Sequence, residues 1–201
     1  MCARYRLKLA LRFITDRLGL TVEEFEEFTE RPRLNIRISE RVPIIKSIAG
    51  RPTLALVEWG FLAPWDQSKR IFNAAAETVA VKSTFRDSFR MRRCLIPADG
   101  FYEWPGKRQT LIHFADDRPF CFAGLWVDNT MTMLTCAPNE FMQPIHHRMP
   151  VILRDEECAT WLDPHLPEDV LHAVLSTRAW EGSQATAISE RLFQGPSLFP
   201  D

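Results

Sequence analysis

Cys94-Leu-Ile-Pro97, Phe101-Tyr-Glu-Trp104, Thr110-Leu-Ile-His-Phe114, Phe120-Cys-Phe-Ala-Gly-Leu-Trp-Val127 and Thr130-Met-Thr-Met-Leu-Thr-Cys-Ala137 follow one another with Asp99-Gly100, Pro105-Gly106, Asp116-Asp117 and Asp128-Asn129 among the breaks. Each segment is short and apolar, and each break is turn chemistry, so the run reads as an antiparallel meander. No helical pattern separates one strand from the next, which disfavours a parallel doubly wound sheet. Upstream, Val42-Pro-Ile-Ile-Lys-Ser-Ile48 and Thr53-Leu-Ala-Leu-Val-Glu-Trp59 flank Ala49-Gly50-Arg51-Pro52 and read as a hairpin. Helices are predicted at the margins. Thr21-Val-Glu-Glu24 is a capping box opening a short amphipathic helix over 21–30, and part of Ala74 to Arg93 has helical composition. Asp155 to Leu162 and Pro167 to Leu175 follow, the latter opening on a proline suited to a first turn. The class is α+β: a mixed, mainly antiparallel sheet or open β-barrel flanked by short helices.

The chain of 201 residues, 46% hydrophobic and 25% charged, has the composition of one soluble domain. No internal repeat divides it, so residues 1–191 form the domain and 192–201 a loose tail. No apolar run approaches a membrane span, and no apolar stretch follows the basic residues of Met1-Cys-Ala-Arg-Tyr5, so a secretory signal is not expected. The expected location is cytoplasmic, with the nucleoid or, in a eukaryote, the nucleus. Five cysteines, an odd number without Cys-x-x-Cys spacing, support neither a disulfide framework nor a zinc knuckle, and no metal or cofactor is expected. Cys94, Cys121 and Cys136 lie in apolar runs and Cys158 on a predicted helix, so these four read as core. Cys2 lies in no such run.

The net charge of -1 hides a division. Residues 1–110 hold 20 Lys and Arg against 13 Asp and Glu, and residues 111–201 hold 5 against 13, so the halves carry +7 and -8. A basic face beside an acidic remainder is compatible with nucleic acid.

If Met1 is removed, Cys2 carries an α-amine and a thiol on adjacent carbons. Their reference pKa values, about 7.7–8.0 and about 8.5, leave part of each nucleophilic near neutrality, and Arg4 is expected to lower both. Such a terminus can attack an amide or capture an aldehyde as a five-membered thiazolidine. Three further segments carry candidate groups: Phe72-Asn73-Ala-Ala-Ala-Glu77-Thr78, Ala98-Asp-Gly-Phe-Tyr-Glu103-Trp104 and Ile145-His146-His147-Arg-Met-Pro150. Read alone, Asn73 is a helix cap, Glu103 a polar strand face and His146 a structural imidazole. A carboxyl between Tyr102 and Trp104 is also placed for partial desolvation, which raises its pKa toward the range useful in acid/base work.

Together these segments resemble the SRAP family, the SOS response-associated peptidase domain. The resemblance spans Cys2 to about Leu153. It rests on the opening Met-Cys-x-Arg-Tyr, Leu34-Asn35-Ile36, Trp59-Gly60-Phe61, Phe72-Asn73-Ala74 with Glu77-Thr78, Phe85-Arg86, Arg92 to Trp104, Ala123-Gly-Leu-Trp126, Leu134-Thr135 and Ile145-His146-x-Arg-Met-Pro150. It implies a domain that removes its own Met1, binds single-stranded DNA at abasic sites or at ssDNA/dsDNA junctions, and joins Cys2 to the sugar aldehyde as a thiazolidine, with lyase activity in prospect. By the same resemblance Cys2 is the nucleophile, Asn73 positions the terminus and the opened sugar, Glu103 handles protons near the α-amine, and His146 acts on the ring-opened deoxyribose. Thr135 lines that pocket, and Arg4, Arg86 and Trp65 meet phosphates or bases, which single-strand recognition requires. A monomer is expected.

Five positions depart from the family pattern: Ala3 for glycine, Ala75 for arginine, Arg37-Ile38 for Ala-Pro, and His147 for aspartate. Ala3 would be strained if its backbone needed positive φ. Ala75 removes a cation, which Arg37 could replace from another loop. Two other readings stand beside the covalent sensor: an N-terminal-nucleophile thiol peptidase acting on other proteins, and a degenerate noncatalytic ssDNA-binding module.

Overall fold

The computed structural model describes residues 2–8, 14–16, 19–20, 32–63, 65–177, 179–180 and 183–187. The helix expected over 21–30 and the tail from 192 lie outside these. Two sheets carry the fold. The smaller is built from β1 (Arg4–Leu7), β2 (Arg33–Arg37), β9 (Gly100–Glu103), β10 (Thr110–Phe114) and β15 (Ser183–Ala187), in the order β15-β10-β9-β1-β2. The larger contains β3 (Arg41–Ile48), β4 (Arg51–Trp59), β8 (Arg93–Ala98), β11 (Phe120–Val127), β12 (Thr130–Cys136), β13 (Met149–Pro150) and β14 (Ile152–Leu153). Its order is β13-β12-β4-β3-β8-β11-β14, and β7 (Asn73–Ala75) adds to β12. Because β12 pairs with β11 as well as with β4, the larger sheet folds back on itself and is partly closed. A separate hairpin joins β5 (Phe61–Ala63) to β6 (Asp66–Ile71). The helices α1 (Arg86–Met91), α2 (Asp155–Leu162) and α3 (Glu168–Val174) are short.

The hairpin read from residues 42–59 is β3–β4, paired from Arg41↔Glu58 to Ile48↔Arg51. Its two-residue turn, Ala49-Gly50, has φ of 51° and 76°. Positive φ at both central residues matches the right-handed twist of the strands, and Gly50 adopts it without a Cβ penalty. The five later segments are all strands, but they do not form one meander. β9–β10 and β11–β12 are hairpins, whereas β8 and β9 belong to different sheets.

The chain changes sheets at Asp99, which is 3% exposed. Its carboxylate accepts from Arg6 Nε and from the Lys8 backbone N–H, and its own N–H donates to the Arg6 carbonyl at 3.0 Å. A buried carboxylate is tolerated where charge-assisted donors surround it, so β1 anchors the corner. Gly100 is needed there because a Cβ would lie 2.8 Å from Leu111 Cδ1 and 3.2 Å from the Ile112 carbonyl oxygen.

An aromatic seam closes the two sheets on one another. Tyr5 of β1 meets Trp59 edge-on at 5.5 Å and Phe122 at 6.0 Å, and Phe101 of β9 meets Phe122 at 6.0 Å. All four rings are fully buried. Such edge-to-face pairs add about 0.5–1.5 kcal/mol each beyond their buried area. Cys94, Cys121 and Cys136 lie in this core as expected, while Cys158 on α2 is half-buried.

Candidate functional site

Cys2 enters just before β1. The antiparallel register Tyr5↔Phe101 and Arg6↔Gly100, run on toward the terminus, sets Ala3 beside Glu103 and Cys2 beside Trp104. Cys2 is 2% exposed, and its Sγ donates to the Arg4 carbonyl at 3.5 Å. Its own carbonyl accepts from Asn73 Nδ2 at 3.0 Å. Asn73 is not a helix cap: it opens β7, which runs parallel to β12 in the register Asn73↔Met133 to Ala75↔Thr135. Trp59 Nε1 donates to the Phe72 carbonyl at 2.8 Å and fixes the residue before it. Asn73 Oδ1 is buried with no hydrogen-bond partner among the described residues, which leaves one acceptor available beside the chain terminus.

Glu103 ends β9 and is 3% exposed. Burial raises its carboxyl to about 7, against the opposing pull of the N-terminal ammonium and of His147. The expectation from the flanking aromatics therefore holds: removal from water dominates. The Cys2 thiol behaves otherwise than expected. Burial, with the Glu103 charge adding to it, pushes it well above the usual thiol range. Arg4 meets the thiol through its carbonyl, and its guanidinium lies instead 5.3 Å from the Trp104 ring centroid. At neutral pH the thiol is protonated and needs a base to become a nucleophile.

His146 follows the 140–145 turn, its N–H donating to the Met142 carbonyl at 2.9 Å. Its Nδ1 is 2.9 Å from both the N–H and the carbonyl oxygen of Arg148. Unprotonated, Nδ1 accepts from the one; protonated, it donates to the other. Burial lowers the His146 pKa, so the neutral ring dominates at pH 7. His147 is exposed and stacks on His146 with centroids 4.3 Å apart.

The loop is tied down by a pair that residue reading left without a role. Arg148 grips Glu77 bidentately at 2.7 and 2.9 Å and donates to the Thr135 carbonyl at 2.7 Å. The guanidinium holds the Glu77 carboxyl below its ordinary range. Both residues stand in the quoted motifs, and opposite charge in two such segments was the available signal. Thr135 is buried; its hydroxyl donates to the Ala74 carbonyl at 3.4 Å and accepts from Arg148 at 3.3 Å.

Fold topology thus brings Cys2, Asn73, Glu103 and the His146 loop to one place, with Arg4 and Trp104 beside them. Trp65 and Arg86 stand further out. Trp65 is 65% exposed at the β5–β6 turn, and Arg86 opens α1 with its Nε 3.6 Å from Asp87. Phe61 and Phe85 pack at 5.7 Å and join the hairpin to the start of α1. Ala3 is not among the described residues with positive φ, so its Cβ costs no backbone strain.

Among known proteins, the family model described as SOS response associated peptidase (SRAP) matches residues 1–194. The abasic site processing protein YoaM of Bacillus subtilis is 34% identical over 194 residues, covering 87% of this chain and 85% of the relative. The abasic site processing protein YedK of Escherichia coli is 25% identical over 179 residues, covering 81% and 79%. A crystal structure of a protein from Bacteroides thetaiotaomicron aligns with a TM-score of 0.83 at 24% identity over 96% of this chain and 95% of that one, a likeness of fold.

Proposed function

The chain belongs to the SOS response associated peptidase family, and from that premise we propose that it processes abasic sites in single-stranded DNA by joining the sugar aldehyde to Cys2. The observation that carries this reading is the pinning of the Cys2 backbone by Asn73 beside a buried carboxyl that titrates at about 7.

Removal of Met1 comes first: attack of Sγ on the Met1 carbonyl carbon, followed by water, releases methionine and frees the α-amine of Cys2. That amine adds to the aldehyde of the opened deoxyribose and loses water to give an imine. Sγ then adds to the imine carbon, its proton passes to the nitrogen, and a thiazolidine closes; the net change is aldehyde plus aminothiol to thiazolidine plus water. Glu103 suits each proton movement, since a carboxyl poised near the working pH can protonate the hydroxyl that leaves as the imine forms and, once the thiol adds, carry the thiol proton to the nitrogen. Asn73 Nδ2 holds the Cys2 carbonyl, and its Oδ1 accepts from the new amine. His146 donates through Nε2 to the sugar ring oxygen as the ring opens. Arg4, Arg86 and Trp65 serve the DNA strand, the arginines at phosphates and the tryptophan under a base. Thr135 supports the pocket wall.

Intact mass of the purified chain, combined with a denaturing gel after incubation with an abasic oligonucleotide, tests this. The expected protein lacks Met1 and forms a heat-stable adduct, and Cys2→Ala abolishes the adduct while keeping noncovalent binding. Retained Met1, or an adduct undiminished in Cys2→Ala, would overturn the reading.

A further inference from the structure

Arg4 and Arg37 stand directly opposite one another on the antiparallel strands β1 and β2. Residues so paired share a face of the sheet with Cβ atoms about 5 Å apart, and like charges in that position destabilise it. No carboxylate among the described residues pairs with either guanidinium. The nearest acid on the following turn, Glu40, is already taken by Arg33, which also donates to the Arg41 carbonyl at 2.8 Å. Arg4 is half-buried over Trp104, so it cannot swing away from its neighbour without losing that contact. Arg37 is exposed at the end of β2, the edge strand of the smaller sheet. Burial and the Arg37 charge both depress the ionisation of Arg4, the mark of a cationic pair lacking its counterion.

Building on the DNA reading above, we infer that Arg37 is a phosphate-binding residue, forming with Arg4 a two-guanidinium site for a phosphodiester that flanks the sugar held at Cys2. Arg4 is two residues beyond Cys2, about 7 Å along an extended chain, the reach of a phosphate adjoining that sugar. A phosphodiester between the guanidiniums turns their repulsion into two charge-assisted contacts.

The full chain, wild type and with Arg37→Gln or Arg37→Glu, is tested by fluorescence anisotropy with a labelled single-stranded oligonucleotide across 50–200 mM salt. Abasic capture is followed in parallel on a denaturing gel. Arg37→Gln is expected to weaken binding about 10-fold at the lowest salt and to reduce the slope of log K against log salt by about 0.7, the loss of one single-strand phosphate contact. Its abasic capture at sub-saturating DNA is expected to fall in step with that loss of affinity. Arg37→Glu is expected to raise Tm, by giving Arg4 an ion-pair partner, while weakening DNA binding further. Higher stability with lower affinity separates a binding site from a structural one. A wild type that captures abasic DNA, beside an Arg37→Gln chain of unchanged affinity and slope, would overturn the assignment of Arg37 alone. A wild type that captures nothing would overturn the DNA reading itself, and the phosphate site with it.

Discussion

Glu103 holds a carboxyl that the fold prefers protonated, and this preference has a cost in stability that can be measured. Its pKa of about 7 in the folded chain stands above the 4.5 of a solvated glutamate. The folded state therefore binds this proton more tightly than the unfolded one. The resulting stabilisation is complete below about pH 4.5 and is lost as pH rises through 7. Glu103→Gln keeps the shape without the ionisation, so it should stabilise the chain by about 2–3 kcal/mol at pH 8 and hardly at all at pH 4. It should also slow cross-linking about 100-fold, the usual worth of a general acid/base. Denaturant melts at the two pH values and gel-based capture rates check both; a variant less stable at pH 8 would contradict the burial argument. For the paired imidazoles, His146 is the half-buried member with backbone partners for either protonation state, and His147 is exposed. His146→Ala should cut ring opening about 100-fold and His147→Ala only a few-fold, with the pH dependence over roughly 5–8 altered in the former alone. Rates on one abasic oligonucleotide decide between them.

Arg93, at the start of β8, shows how the helices are fastened to the strands that build the site. It is buried, its Nε donates to the Trp161 carbonyl at 2.7 Å, and Nη1 donates to the Phe89 carbonyl at 2.6 Å. The carbonyls of Arg90 and Asp163 complete the set. These oxygens belong to the C-terminal ends of α1 and α2, where helices carry orphan acceptors and partial negative charge. Burial lowers the Arg93 pKa to about 10, which leaves it charged at neutral pH. Arg93→Met fills similar volume and strands four acceptors, so it should cost about 3–5 kcal/mol in urea unfolding, with Arg93→Lys recovering part. Equal stability of the methionine variant would show that the helices hold without it. At this scale the sequence was largely legible: β3–β4, α2, α3 and the five later strands stand close to where periodicity and turn residues put them. The single meander was not. Turn chemistry at Asp99-Gly100 marks a break in a strand but not which sheet the next strand joins; the Arg6 and Lys8 donors, more than ninety residues away, decide that.

Across the whole molecule, the site draws on positions 2, 73, 103 and 146, which meet because β1 pairs with β9 and β7 adds in parallel to β12. Both pairings join segments far apart in the chain, and the aromatic seam of Tyr5, Trp59, Phe101 and Phe122 holds the two sheets in register. Residue types and local order were readable beforehand: an aminothiol precursor at Cys2, a carboxyl between two aromatics, an imidazole pair before a proline, strands without intervening helices. The family resemblance implies that these groups share one site without reference to any strand pairing. Short-range signals suffice for this because side-chain alternation and turn preference act within a few residues. The tertiary structure alone decided that Cys2 is buried with its thiol suppressed, that Arg148 locks the His146 loop to Glu77, and that Arg4 faces Arg37 without an acid. Desolvation and ion pairing depend on what arrives from the rest of the chain, and strand β15, paired with β10 from residues 183–187, is formed only when that partner edge is present.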